Sequence, residues 1–197
     1  MENMTKLAVY CGASAGVSPE FEKATIELGK WMVAHNFELV YGGGKYGLMG
    51  TLAKTISDNK GKVYGIIPEV LYKRDIAFDR LTDLEVVADM STRKKKMLQI
   101  SDASLALPGG PGTLEEISQA FSWSRIGENP NPCILYNISN FYSPLEKMYD
   151  SMVENGFLTS DDRQKLLFTS SLPEILSFMS SYTPPQVRKY SRKDAKK

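Results

Sequence analysis

The sequence predicts an α/β fold: a doubly wound, Rossmann-like, mostly parallel sheet with helices on both faces. Three observations carry that expectation. Short runs that are apolar on both faces, such as Leu7-Ala8-Val9-Tyr10-Cys11, alternate with stretches that are apolar only at helical spacing. Strands of that kind are buried on both sides, and the right-handed crossover rule winds them into a doubly covered sheet. Each glycine-bearing loop, Gly12–Gly16, Gly42–Gly50 and Gly109–Gly112, directly follows one of these runs. Ligands of such folds sit beyond the carboxyl ends of the strands, so the three loops point to one composite site.

The elements follow in order. Lys6–Cys11 reads as the first strand and Gly12–Gly16 as a turn of small residues. Ser18-Pro19 opens a helix, with serine at the cap and proline at the first position. Its inner face is Phe21, Ala24, Leu28, Trp31 and Met32. Phe37–Tyr41 is the second strand, and a helix through Leu52, Ala53 and Ile56 follows its glycine loop. Val63–Ile67 is the third strand. Pro68 to Met90 reads as a loop without convincing periodicity; loops of ~20 residues in compact domains are usually functional or disordered. Ser91 or Thr92 can cap the next helix, which carries Arg93-Lys94-Lys95-Lys96. Four successive cations cannot share one helix face, so at least one or two are expected to turn inward; the alternative is an ordinary solvated basic face. Ala103–Leu107 and Pro132–Tyr136 are the fourth and fifth strands, separated by a helix with Ile117, Ala120, Phe121 and Ile126 on its apolar side. Helices are expected around Pro144–Asn155, Ser160–Leu167 and Pro173–Ser181, the last with Ser171-x-x-Glu174 as a capping box.

With 197 residues, 42% hydrophobic and 24% charged, the composition is globular. Residues 1–182 are expected to form a single domain, large enough to bury about 70% of its unfolded surface. No apolar run approaches the ~18 residues of a membrane span. Met1–Lys6 leads straight into a strand, so no signal peptide is expected. Cys11 and Cys133 fall in predicted strands and read as buried free thiols of a reducing cytoplasm. The single histidine, His35, ends a helix, so neither a histidine triad nor a zinc site is expected, and no metal or cofactor. Net charge is +1, unevenly placed: six of 24 basic residues (Arg188, Lys189, Arg192, Lys193, Lys196, Lys197) and one of 23 acidic ones lie in residues 183–197. The body is therefore near −4. Pro184-Pro185 and the lack of periodicity predict a disordered, solvated tail. With Tyr190 its one aromatic, nucleic acid is not its expected partner.

Pro108-Gly109-Gly110-Pro111-Gly112-Thr113-Leu114-Glu115-Glu116 is the most informative segment. It joins a strand to a helix. Its glycines let backbone approach a ligand, and the helix start offers unpaired N–H groups and a positive dipole end. That combination seats a phosphate. Glu116, in what reads as the first helical turn, brings a carboxylate near the seat. Thr113-x-x-Glu116 also fits a capping box, although capping requires none of the glycines. Gly42-x-Gly44-x-x-Gly47 meets the dinucleotide pattern, but that pattern belongs to the first strand-to-helix turn, here Cys11-Gly12-Ala13-Ser14.

Three motifs in register resemble the LOG (LONELY GUY) family. They are Tyr41-Gly42-Gly43-Gly44…Gly47-Leu48-Met49-Gly50, Met90-x-x-Arg93-Lys94-x-x-Met97 and Pro108-Gly109-Gly110-x-Gly112-Thr113-x-x-Glu116. Val9–Ser14 is similar to the family's first strand and turn, and the resemblance runs over about residues 6–180. The family comprises cytokinin riboside 5′-monophosphate phosphoribohydrolases, often mislabelled lysine decarboxylases. The resemblance implies a Rossmann-like homodimer that hydrolyses the N-glycosidic bond of a nucleoside 5′-monophosphate, a cytokinin nucleotide or AMP. Free base and ribose 5-phosphate are the products. It assigns Arg93 and Glu116 as the catalytic pair. It assigns Lys94, Gly109, Gly110, Pro111, Gly112, Thr113, Leu114 and Glu115 to nucleotide binding, with Ser14, Gly43 and Gly44 in the neighbouring glycine loops. Asp75 stands where the family usually has glutamate, one methylene longer. Ala13 and Ala15 stand where it often has serine.

The alternative is a nucleotide-binding module without hydrolysis, a carrier or sensor. Phosphate binding alone requires neither Arg93 nor Glu116. An NAD(P) oxidoreductase rests on the Gly42 pattern alone. Lysine decarboxylation normally uses a pyridoxal phosphate lysine, and no lysine here sits in a suggestive pocket motif.

Overall fold

The computed structural model describes residues 6–187, and the six cations of the expected tail lie outside them. Among the described residues seven strands form one parallel sheet: β1 (Lys6–Tyr10), β2 (Glu38–Tyr41), β3 (Val63–Pro68), β4 (Asp83–Val87), β5 (Ala103–Ala106), β6 (Cys133–Tyr136) and β7 (Leu166–Thr169). Their order is β4-β3-β2-β1-β5-β6-β7, so the winding reverses at β1, beside which both β2 and β5 lie. The helices are α1 (Pro19–Ala34), α2 (Gly47–Asp58), α3 (Glu69–Tyr72), α4 (Met90–Gln99), α5 (Pro111–Arg125), α6 (Ser143–Glu154), α7 (Ser160–Arg163) and α8 (Leu172–Ser181). None of the described helices is long and apolar enough to cross a membrane.

The period of two along each strand divides the core between the faces. On β1, Leu7 and Val9 join the cluster made with Leu28 and Met32 of α1, Leu52 and Ile56 of α2 and Ile175 of α8. Ala8 and Tyr10 join the other, with Met97 of α4, Ile117 and Phe121 of α5 and Tyr149 of α6. Leu28 and Met32, both 0% exposed, each contribute roughly 1.5–3 kcal/mol by leaving water. Proline in the first turn starts α1, α5, α6 and α8, where a missing N–H costs nothing. As expected, Ser18 caps α1, its hydroxyl accepting from Glu20 N–H. Cys11 and Cys133 are buried free thiols.

Three expectations from the sequence are corrected. The stretch 68–90 is not one loop: it holds the single turn α3 and the edge strand β4. Because β4 is mostly exposed, with Asp83 and Glu85 on it, it lacks an apolar signature; charge on an edge strand guards against stray pairing. Ser160–Leu167 is not a helix either. It is one turn, α7, and then β7, whose Leu166 and Leu167 resembled helix-face positions. At α8, Ser171 accepts from Glu174 N–H, but the Glu174 carboxylate takes the Thr169 hydroxyl, so the capping box is only half made. Of the expected tail, residues 183–187 are described: Thr183 accepts a hydrogen bond from Lys165 and Pro185 is buried.

Tyr142 ties the far side of the sheet to the site. Its buried hydroxyl donates to Leu107 O at 2.7 Å, one residue before the Pro108–Gly109 turn. Tyr142→Phe leaves that carbonyl without its donor and is expected to cost about 1–3 kcal/mol. The reading is a lower urea midpoint with an unchanged slope. A midpoint equal to wild type would mean that the carbonyl finds another partner.

Candidate active site

The turns after β1, β2 and β5 interlock, and glycine makes that possible. Gly12 N–H donates to Pro108 O at 3.1 Å. A Cβ on Gly109 would overlap Thr113 and stand 2.9 Å from Gly12 N. A side chain on Gly47, whose φ is +59°, would overlap the Ala13 backbone. Between these turns lies a cleft of about 270 Å³, walled by Ser14, Phe21, Leu48, Gly109, Gly110 and Phe141 among others. A larger cleft of about 690 Å³, between α1 and α8, contains none of the candidate residues. Chemistry, not size, therefore locates the site.

Helix α5 begins at Pro111, with Gly110 as its N-cap and no side chain capping it. This overturns the capping-box reading. Thr113 is the third helical residue and is buried beneath Gly109, and Glu116 lies in the second turn rather than the first. The physical reason is Pro111, whose fixed φ starts the helix three residues earlier than a Thr113 cap would. A Cβ on Gly110 or Gly112 would meet no atom within 4 Å, so neither glycine is demanded by the chain's own packing. They leave an uncapped, electropositive helix start bare, which is the makings of an anion seat.

Arg93 and Glu116 meet beneath that seat. Helix α4 is capped by Asp89, whose carboxylate accepts from Thr92 N–H at 2.7 Å, rather than by Ser91 or Thr92. From that start the helix turns Arg93 fully inward, and Lys94 mostly so. Arg93 Nη2 stands 3.0 Å from Glu116 Oε1, and both side chains are more than nine-tenths buried. Yet neither Glu116 Oε1 nor Arg93 Nε has a hydrogen-bond partner: the two charges are close but not aligned. Arg93 Nη1 donates weakly to Met90 Sδ at 3.6 Å. Burial pushes the Glu116 carboxyl above the ordinary glutamate range, against the opposing pull of Arg93. Tyr10 and Cys11 of the β1 end are raised by burial, with the Glu116 charge adding to it. Lys94 pairs with Glu115, so a second, more exposed ion pair flanks the first.

The remaining loop residues form the rim. Lys45 N–H donates to Ile76 O at 2.8 Å and Phe78 N–H to Gly43 O at 2.9 Å, with Gly44 bridging Ala77. These bonds lay the 75–78 segment along the Gly43–Lys45 turn. Asp75, at φ +53°, is almost wholly exposed and pairs with Lys45 at 3.4 Å. Ser14 also lies on the rim, where its hydroxyl accepts from Gly16 N–H at 3.3 Å. Sequence reasoning missed Lys45, whose place inside a glycine loop was the available signal. It also passed over Gly42, where a side chain would overlap the Arg93 guanidinium. Among the described residues no group of three or more His, Cys, Asp or Glu is placed to hold a metal ion.

Comparison with known proteins follows the same lines. A family described as "Possible lysine decarboxylase" matches residues 49–179. A cytokinin riboside 5′-monophosphate phosphoribohydrolase of Arabidopsis thaliana is 37% identical over 188 residues, 95% of this chain and 88% of that protein. Another from the same plant is 36% identical over 179 residues, 91% of this chain and 83% of that one. The chain belongs to the LOG family. Solved structures share its fold. The molybdenum cofactor binding protein of the phototrophic bacterium Rippkaea orientalis superposes with a TM-score of 0.68 at 19% identity, covering 92% of this chain and 98% of that one. The molybdenum cofactor carrier protein of Chlamydomonas reinhardtii gives 0.67 at 20%, covering 90% and 96%. At such identities the likeness is one of fold.

In this LOG-family chain the position of Arg93 depends on the start of α4. The Asp89 carboxyl is held below the ordinary aspartate range, chiefly by the Thr92 backbone N–H. A depressed acid stabilises the fold above its unfolded pKa, and that contribution disappears as pH falls through the folded one. Asp89→Ala is expected to melt at a lower temperature than wild type at neutral pH, with the gap closing below about pH 4, the ordinary aspartate value. A gap that is constant with pH would mean that the carboxylate is not the cap that matters.

Proposed function

We propose that this chain hydrolyses the N-glycosidic bond of N6-substituted adenosine 5′-monophosphates (cytokinin nucleotides), AMP, or both. The products are the free base and ribose 5-phosphate. The observation that carries the reading is the Arg93–Glu116 pair, buried and short of hydrogen bonds beneath the bare start of α5. The family names support the substrate class.

Glu116 lies five residues into α5, about 7 Å along the axis from Pro111. A 5′-phosphate at the helix start would therefore set C1′ of its ribose near the carboxylate. The Gly109–Glu115 segment and Lys94 hold the phosphate, with Ser14, Gly43, Gly44 and Asp75 closing the rim. That remote binding energy positions the scissile bond. As the C1′–N bond breaks, positive charge develops on the ribose and negative charge on the base. Glu116 stabilises the oxocarbenium-like centre, as nucleophile or as base for a water. A guanidinium is a poor proton donor, so Arg93 steadies the departing base or clamps the substrate rather than delivering a proton. We further propose that the body through residue 182 acts as one domain, cytoplasmic and homodimeric.

Base release from AMP and N6-isopentenyl-AMP, followed by chromatography, tests the reading. Wild type is expected to release adenine or isopentenyladenine, and Glu116→Gln to lose at least about 10²–10³-fold in turnover. Nucleotide bound but never cleaved by wild type would instead make the protein a binding module. The pH profile provides a second check. Glu116 must be ionised to act and its pKa is raised, so turnover is expected to climb with pH along a limb above the ordinary glutamate value of about 4.3. A limb at or below that value would exclude Glu116 as the titrating group.

A further inference from the structure

We propose that Gly42 is a positioning residue for the reaction: the missing side chain at 42 is what lets the Arg93 guanidinium lie against Glu116. The inference rests on the activity proposed above and adds a residue to its machinery. The Gly42-Gly43-Gly44 run offers three reasons to be glycine, and they separate cleanly. Gly43 has φ +78°, a conformation that side chains rarely adopt, so the turn itself demands glycine there. At Gly44 a Cβ would crowd the flexible tip of Met49, at 2.9 Å. Gly42 has no positive φ, so its backbone would accept any residue. Its constraint is spatial: a Cβ would overlap Arg93 Nη2 and stand 3.0 Å from Cζ.

The Arg93 guanidinium would have to shift to answer that overlap. It is buried, and Glu116 lies 3.0 Å from the same Nη2. The atom that a Gly42 side chain would displace is therefore the one that faces the carboxylate. An alanine there leaves the strand and turn intact and moves the charge. The groups acting on Glu116 are few: Arg93 and Lys94 of α4 favour its ionised form, and Glu115 of α5 opposes it. From β1, Tyr10 and Cys11 sense its charge. Moving the guanidinium off removes the largest of the favourable influences.

The test compares wild type, Gly42→Ala, Arg93→Lys and the double variant. A misplaced guanidinium is expected to cut kcat for base release from AMP by about 10²-fold, with AMP affinity by calorimetry changed far less. The carbon-13 titration of the Glu116 carboxyl, identified by its loss in Glu116→Gln, is expected to move to higher pH in Gly42→Ala. In the Arg93→Lys background no guanidinium fork remains to collide, so adding Gly42→Ala is expected to cost little more. Equal losses in both backgrounds, or an unmoved Glu116 titration, overturn the proposal and leave Gly42 a residue of the turn. Should Gly42→Ala fail to fold while the double variant folds, the collision is confirmed; failure of both overturns it. If wild type releases no base, the proposed activity falls, and the Glu116 titration still decides Gly42.

Discussion

A guanidinium and a carboxylate 3.0 Å apart inside the protein, each with a polar atom that nothing hydrogen-bonds, set the terms for the structure around them. Removing two charges from water costs several kcal/mol per ion, and proximity repays it fully only when geometry and hydrogen bonds are good. Here they are not, since an unmet buried group costs roughly 1–3 kcal/mol. The rest of the fold has to hold the pair against that cost. Asp89 fixes the first turn of α4, Pro111 fixes that of α5, and both helices bury apolar residues in one cluster. Neither member of the pair can be lost alone without stranding the other as an uncompensated buried charge.

The sheet order explains why the pair lies among glycine turns. Because β2 and β5 flank β1 and the winding reverses there, three strand ends open side by side at one edge. Backbone there approaches backbone closely, as with Gly12 N–H on Pro108 O. Side chains on Gly109 or Gly47 would wedge the turns apart. Crowding at a switch point thus gathers an uncapped helix start, a buried cation and a buried carboxylate at one end of the sheet. The parallel topology supplies that adjacency, and the glycines keep it open.

Much of this is legible in the sequence, and the exceptions have physical causes. Five strands announce themselves because burial on both faces makes them continuous apolar runs. The edge strands β4 and β7 do not: β4 carries charge, and β7 is only half buried and follows closely on the single turn of α7. The inward turn of the cationic run follows from helix geometry alone, and it leads to Arg93. What the sequence hides is the register of α5. Thr113-x-x-Glu116 looks like a cap, and only Pro111 discloses that the helix is already under way. Gly42 is hidden for another reason. Nothing in a glycine run says which member serves the turn and which makes room for an arginine 51 residues further along the chain.

The same fold in molybdenum cofactor binding proteins sharpens the point that architecture does not choose the chemistry. A bare helix start among glycine turns can hold a phosphorylated ligand and release it unchanged. For a carrier the seat suffices, and a buried ion pair below it adds only cost. Unmet hydrogen-bonding capacity becomes useful when charge appears during a reaction, because preorganised groups then need no rearrangement to meet it. In this chain that capacity lies in the second turn of α5, beyond its bare start. The cost of leaving Arg93 and Glu116 unsatisfied is hard to understand for storage and easy to understand for bond cleavage.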